Sequence, residues 1–282
     1  MVSKQVFDAK ISSYLEREQD RIVNDWLEVV QQPSISSTGE GVVECSELIA
    51  KKMKIIGIDT TVFPVKPYPV IFGQLGNDPA NKTILIYAHY DVQPPDPIEE
   101  WKCPPFEAAI VDGIVYARGA ADCKGPLVAH LKAAEFWLKE FGELPVNLKF
   151  IFEGCEENGS KGLPEFLREN RQLLDADFVY FSDGARHESG VPTIALGAKG
   201  MLSVELKLKT IDRDAHSMYA PVLPSAAWEI LQLLNKLSHK GVVQIPGFYD
   251  DVIKMTDAEV EVLERLPDVA KKWRNNIKWF LL

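Results

Sequence analysis

The segment TILIYAHYDVQPPD, residues 83–96, decides the fold class and also points to a functional site. Its β-favouring residues run straight into His89, and an aspartate follows two positions later. A short apolar run of this kind predicts a buried strand. Polar side chains at the end of such a strand need a structural or chemical reason, because burying a polar group without a partner is costly.

Composition and charge exclude several classes of partner. The 282-residue chain has a net charge of -10 at pH 7 and a pI near 5.1. An acidic chain repels phosphates, so we expect neither a nucleic-acid partner nor an anionic membrane partner. The charged N-terminal segment lacks the apolar region of a secretory signal, and no run has the length of a membrane span. These features predict a cytoplasmic protein.

The patterns in residues 1–197 predict an α/β domain. Strands alternate with helices, which implies a mostly parallel sheet with helices on both faces. Helical spacing is found at 4–31, 42–56, 124–141 and 161–170, and apolar runs predict strands at 60–65, 69–75, 83–88, 146–153 and 176–184. The last two of these strands are predicted to be buried.

The pattern changes in residues 198–282, which we predict to be part of an α+β domain. Residues 200–210 (GMLSVELKLKT) alternate like a half-exposed antiparallel strand. Residues 224–240 have the spacing of a long amphipathic helix. The final segment, KKWRNNIKWFLL at 271–282, carries neither a helix cap nor a turn signal.

Acidic side chains and one histidine follow the predicted strands at the same edge of the sheet. Ligands of open α/β sheets bind in the crevice beyond the carboxyl ends of the strands. Taken singly, Asp122 could cap the next helix, Asp183 could belong to a turn, and the glutamate pair could be a solvated turn. The residues that converge are His89, Asp91, Asp122, Glu156, Glu157 and Asp183.

This group of residues predicts a metal site. Five carboxylates in one cleft need compensating cations, because like charges at short range raise each other's pKa. Two divalent ions suit this much acid better than one. Mixed imidazole and carboxylate donors favour Zn²⁺, and Co²⁺ or Mn²⁺ are compatible. We expect His89 to bind metal and Asp91, two residues along an extended segment, to hold its other ring nitrogen.

Four motifs in order, AHYDVQP, GAADCKG, EGCEENGS and SDG, resemble those of the M20 family of dinuclear zinc amidohydrolases. The resemblance covers nearly all of residues 10–240. It implies a zinc-exopeptidase-like catalytic domain in 1–197 and a partial lid, or dimerisation domain, in 198–282. The implied reaction is hydrolysis of amide bonds in dipeptides or small peptides by a metal-activated water. Deacylation of N-acyl amino acids by the same chemistry is the alternative.

The resemblance also implies the metal ligands. His89 and Asp183 would bind the first zinc, Glu157 would bind the second, and Asp122 would bridge the two. It further implies a cis peptide bond between Asp122 and Cys123.

The remaining roles implied by the resemblance concern catalysis and assembly. Glu156 would be the general base that deprotonates the water, and Asp91 would orient His89. In the lid, His216 would reach the substrate of a neighbouring subunit, so the full-length form would be a homodimer.

One expected element of the family is missing from this sequence. The family completes its second zinc with a histidine located after the lid, and no histidine follows His239 here. We therefore expect the chain to correspond to the front portion of an M20 enzyme. An inactive form that lacks the last metal ligand is a further alternative.

Overall fold

The computed structural model describes residues 2–184, 189–195 and 200–267. The chain divides into two compact units, one within residues 1–185 and the other within 186–282. The assignment of 1–197 as catalytic and 198–282 as lid remains a prediction. The segment 271–282 lies outside the described residues.

The first unit contains four α-helices and seven strands among its described residues. In chain order these are α1 (Lys4–Gln31), α2 (Val42–Ile56), β1 (Asp59–Phe63), β2 (Val70–Leu75), β3 (Thr83–His89), β4 (Ala109–Val111), β5 (Ile114–Tyr116), α3 (Lys124–Phe141), β6 (Asn147–Glu153), α4 (Leu163–Glu169) and β7 (Phe178–Phe181).

Five of these strands form the central sheet, in the spatial order β1-β2-β6-β3-β7. β3 pairs in parallel with both β6 and β7. β2 pairs antiparallel with both β1 and β6. Among the described strands of this sheet, only β2 is therefore antiparallel to the other four. The prediction of an α/β fold with a mostly parallel sheet is confirmed.

Alternate residues of β6 show how the sheet separates two layers of helices. Phe150 and Phe152 are buried in a cluster that also contains residues of α1, α2 and α3. Ile151 belongs to a second cluster, with Leu163 and Phe166 of α4. Side chains alternate between the two faces of a strand, so the predicted helices lie on both faces of the sheet.

Asp25 of α1 ties the three helices of the first layer together. Its carboxylate lies 2.9 Å from Nζ of Lys52 in α2 and 2.5 Å from Nζ of Lys132 in α3. Burial raises the pKa of Asp25, but the hydrogen bonds and charges of Lys132 and Lys52 outweigh it and hold the pKa below its usual value. The ionised form of Asp25 is thus stabilised by folding.

Two predictions about strands are wrong. The side chains of β7 were expected to be buried, yet they are between 54% and 67% exposed. Among the described strands β7 pairs with β3 alone, so it lies at an edge of the sheet. Residues 200–210 contain no strand. Alternation of apolar and polar residues indicates that a segment could line one face of a sheet. A strand forms only where a neighbouring segment is available for hydrogen bonding.

The hairpin of β4 and β5 was not predicted, although its turn carries a recognisable signal. Asp112 and Gly113 connect the two strands, and both have positive φ angles, 52° and 75°. Asp-Gly is favoured in two-residue hairpin turns because such turns require left-handed backbone at both positions.

The second unit contains α5 (Ala226–Leu237), the short strands β8 (Ser238–His239) and β9 (Val242–Val243), and α6 (Asp257–Glu264) among its described residues. The helix predicted at 224–240 is confirmed by α5. α6 begins with a capping box in which Thr256 and Glu259 exchange side-chain and backbone hydrogen bonds. Within the described part of the chain, no helix combines the length and the apolar character needed to cross a membrane.

The Asp25 contacts predict a pH-dependent contribution to stability. Because the folded pKa of Asp25 is depressed, its contribution is present above the unfolded pKa of about 3.9 and is lost as the pH falls through the folded pKa. Asp25→Asn should lower the free energy of unfolding at pH 7 by up to about 1 kcal/mol. The difference from wild type should shrink below about pH 4.

Urea unfolding at a series of pH values measures this difference. Asp20→Asn is the matched control, since Asp20 is an exposed aspartate on the same helix. A wild-type-like stability for Asp25→Asn at pH 7 would show that the contacts with Lys52 and Lys132 contribute nothing.

Candidate metal centre

The ring of His89 is the point at which the predicted acids converge. His89 is the last residue of β3 and is fully buried. Its Nε2 atom lies 3.0 Å from Oδ1 of Asp122 and 3.1 Å from Oδ2 of Asp183. Oε2 of Glu156 is 3.9 Å from the same nitrogen. Three separate segments, those before α3, after β6 and after β7, thus bring carboxylates to one imidazole nitrogen.

Asp122 does not act as the helix cap that its position allowed. The residue at the N-cap of α3 is Cys123, and among the described residues its side chain makes no capping hydrogen bond. The side chain of Asp122 is 65% exposed and reaches His89 instead. The peptide bond between Asp122 and Cys123 is cis, as the family resemblance implied.

Asp91 connects the two sides of the site. Its fully buried carboxylate accepts hydrogen bonds from the backbone N–H of Glu156, at 3.0 Å, and from that of Glu157, at 3.1 Å. Nδ1 of His89 lies 3.1 Å from the backbone oxygen of Asp91 and 3.4 Å from its Oδ1. Asp91 therefore lies beside the second ring nitrogen, and its role in orienting His89 stays a prediction. Its carboxylate also holds the turn that carries both glutamates, which the sequence did not reveal.

Glu157 has a partner that the sequence analysis missed. Nε2 of Gln93 donates to Oε2 of Glu157 at 2.8 Å. Ligand atoms of His89, Glu156 and Glu157 can all lie within 4.8 Å of one another. The spacing of residues 89, 91 and 93 is that of side chains on one face of an extended segment, but the contact of Gln93 with Glu157 depends on the tertiary structure.

The acidic groups of the site outnumber the positive charges near them. Burial lowers the pKa of His89, but the hydrogen bond and charge of Asp91 and the charges of Asp183 and Glu156 outweigh it and raise the pKa to about 9. Burial raises the pKa of Glu156, and the charges of Glu157, Asp183 and Asp91 raise it further, against the opposing effect of His89.

The residues therefore fit the divalent metal that the sequence predicts. An imidazole nitrogen and several carboxylate oxygens are donors that Zn²⁺, Co²⁺ and Mn²⁺ all accept. A cation among these acids would relieve the repulsion that raises the pKa of Glu156.

The Cys123 thiol also lies close to this centre. With His89 and Asp183 it forms another group whose ligand atoms lie within 4.8 Å. Burial raises the pKa of the Cys123 thiol to about 12, and the charges of Asp183, Asp122 and Glu156 oppose ionisation as well. A buried protonated thiol packs as a small apolar group, in line with the membership of Cys123 in the larger core cluster.

His216 belongs to the second unit and is exposed. Its Nδ1 atom accepts the backbone N–H of Met218 at 3.1 Å and so caps the short 3₁₀ turn Ser217–Tyr219. The substrate-binding role implied for His216 stays a prediction.

Comparison with known proteins identifies the family of this chain. The model of Peptidase family M20/M25/M40 matches residues 85–268, which include every residue that converges on His89. The chain belongs to this family. The M20 resemblance of the four motifs is thereby confirmed.

Curated relatives in this family carry the names of dipeptidases. Human Beta-Ala-His dipeptidase is 34% identical over 212 residues, which are 74% of this chain and 42% of the relative. The Cys-Gly metallodipeptidase DUG1 of Candida albicans is 32% identical over 256 residues, which are 83% of this chain and 53% of the relative. The chain thus spans about half the length of the curated relatives it matches.

Solved structures of the family share the fold. The M20 family metallo-carboxypeptidase Sso-CP2 from Sulfolobus solfataricus aligns with a TM-score of 0.80 at 37% identity, covering 92% of this chain and 60% of that one. Human carnosine dipeptidase 1 aligns with a TM-score of 0.72 at 26% identity, covering 97% and 62%.

The two hydrogen bonds accepted by Asp91 predict that it is needed for metal binding. Asp91→Asn replaces one acceptor oxygen by an NH₂ group, which cannot accept an N–H from the turn of the M20 chain. The apparent affinity for Zn²⁺ should fall by about 10- to 100-fold, because the turn and His89 lose their common anchor.

Competition with a chromophoric chelator measures this affinity. Asp59→Asn, at an exposed position of β1, is the control and should bind zinc as wild type does. An unchanged zinc affinity in Asp91→Asn would show that Asp91 is not needed for metal binding.

Proposed function

We propose that this chain carries the metal-binding part of an M20 metallodipeptidase, which hydrolyses the amide bond of dipeptides or small peptides with a metal-activated water. The observation that carries the proposal is the convergence of carboxylates from three segments on Nε2 of His89. Membership of the family and the dipeptidase names of the relatives support it.

The proposed ligands follow from the distances around His89. His89, Asp183 and Asp122 would hold one ion, since both carboxylates lie about as close to Nε2 as ligands of one cation do. Asp122 and Glu157 would hold the second. Zn²⁺ is the proposed metal, with Co²⁺ or Mn²⁺ as substitutes. When bound, such ions lower the pKa of a water molecule and polarise a carbonyl group.

Glu156 is the proposed general base. Its side chain is 38% exposed, so a substrate can reach it, while its backbone is fixed by the hydrogen bond to Asp91. The raised pKa of Glu156 suits a group that takes a proton from water and passes it to the leaving amine. Neighbouring Glu157 instead accepts a hydrogen bond from Nε2 of Gln93 at 2.8 Å. The two adjacent acids are thus free to have different tasks.

Several finer predictions extend this proposal. Deacylation of N-acyl amino acids would use the same chemistry, but the names of the relatives favour dipeptides. A homodimer through residues 198–282, contact of His216 with substrate and a cytoplasmic location are also proposed.

Metal content and hydrolysis test the proposal together. The purified 282-residue chain should retain at least one Zn²⁺ per chain after dialysis. It should release free amino acids from a panel that contains Cys-Gly and β-alanyl-histidine. Removal of the metal with EDTA should abolish the release, and Zn²⁺ should restore it. A chain that binds no metal would contradict the proposal, and cleavage of N-acetyl amino acids in preference to dipeptides would replace it by the deacylase alternative.

The assignment of Glu156 makes a separate prediction. Glu156→Gln should reduce kcat by about 10²- to 10⁴-fold, the usual contribution of a general base, while the bound zinc stays unchanged. Glu165→Gln is the matched control, because Glu165 is an exposed glutamate of α4. Normal turnover in Glu156→Gln would show that another group is the base.

A further inference from the structure

Glu153, at the end of β6, has a buried carboxyl group that the proposed chemistry does not use. The residue is 1% exposed. Its Oε1 atom accepts two hydroxyl hydrogen bonds, from Tyr87 at 2.7 Å and from Ser160 at 2.8 Å. Oε2 is buried and has no hydrogen-bond partner among the described residues. Buried carboxyl groups are rare in cores, so this one calls for a specific role.

The position of Glu153 links it to the metal centre. In the parallel pairing of β3 and β6 it is the register partner of His89. Its backbone oxygen also accepts the N–H of Tyr90 at 2.8 Å. The next residue, Gly154, passes so close to Tyr90 that a Cβ atom would lie 2.5 Å from the tyrosine oxygen. The carboxyl end of β6 is therefore held in place on the side of β3.

The turn that follows is closed by Ser160. The backbone N–H of Ser160 donates to the oxygen of Cys155 at 2.8 Å. Ser160 has a φ angle of 51°, in the left-handed region that a residue with a Cβ atom rarely adopts. Such a conformation persists when surrounding contacts enforce it. The hydroxyl hydrogen bond to Glu153 is a contact of this kind.

We propose that Glu153 is a positioning residue, which fixes the Glu156–Glu157 turn through its hydrogen bond with Ser160. Asp91 holds the beginning of the turn by the two backbone N–H groups. Glu153 holds its end at Ser160 from inside the core. These two contacts together fix the positions of the Glu156 and Glu157 carboxylates relative to His89. The consequence for metal binding rests on the function proposed above, whereas the positioning of the turn does not.

Four variants separate this role from ordinary packing. Glu153→Leu removes the acceptor at similar volume, and Glu153→Gln keeps one acceptor oxygen for both hydroxyls. Ser160→Ala removes the link to the turn and leaves the bond with Tyr87. Tyr87→Phe, the matched control, removes the other hydroxyl and leaves the link to the turn.

Amide hydrogen exchange at Glu156 and Glu157 is the direct readout, because these N–H groups are protected only while the turn stays on Asp91. The amides of β6 serve as the internal reference for global stability. Relative to β6, we expect exchange at the two glutamates to be about tenfold faster in Glu153→Leu and in Ser160→Ala, the effect of one lost hydrogen bond. Glu153→Gln and Tyr87→Phe should stay close to wild type.

Zinc affinity is the second readout and should follow the same order, with a loss of at least about tenfold in Glu153→Leu and Ser160→Ala. Wild-type exchange at Glu156 and Glu157 in Ser160→Ala would overturn the inference and make Glu153 a core residue only. Should Glu153→Leu fail to fold, Ser160→Ala decides, since it removes a single hydroxyl. If wild type binds no zinc while the exchange pattern holds, the proposed function fails and the positioning role stands.

Discussion

The parallel pairing of β3 with β6 is the constraint on which the site depends. It places His89 beside Glu153 at the carboxyl edge of the sheet. Beyond the carboxyl ends of both strands the chain enters the crevice. β3 is followed there by Asp91, and β6 is followed by the Glu156–Glu157 turn. The Asp91 carboxylate then bridges the two continuations through backbone hydrogen bonds. Without this register, the imidazole and the two glutamates would have no fixed distance from one another.

The charge at this edge is the second general feature of the molecule. Acids from three segments surround one buried imidazole. The hydrogen bond and charge of Asp91, together with the charges of Asp183 and Glu156, raise the pKa of His89 to about 9 against the effect of its burial. A folded protein keeps such an arrangement only with a cation or with a proton at its centre. This is the physical basis for a metal site in an M20 chain, and it agrees with the chemistry of family members that hydrolyse amide bonds.

The local structure was largely predictable, whereas exposure was not. Helices α1, α2 and α3 were predicted because apolar spacing and terminal residues such as Gly57 and Gly142 are local properties of the chain. The burial of β7 and the strand at 200–210 were predicted wrongly, since both depend on which neighbour covers or pairs with the segment. The sequence also allowed Asp122, taken alone, to cap the next helix, because the contact of its side chain with His89 depends on the tertiary structure.

By itself, the sequence determined the alternation of strands and helices, the acids that follow the strands, and the four motifs of the M20 family. Only the tertiary structure decided that the Asp91 carboxylate binds the amides of the glutamate turn, that Gln93 binds Glu157, and that Glu153 binds Ser160 and Tyr87. The Asp91, Gln93 and Tyr87 contacts join positions more than 60 residues apart, and Ser160 meets Glu153 only because the turn folds back on the strand. Strand register and the path of the turn set these distances, and neither is encoded in the spacing of residue types along the chain.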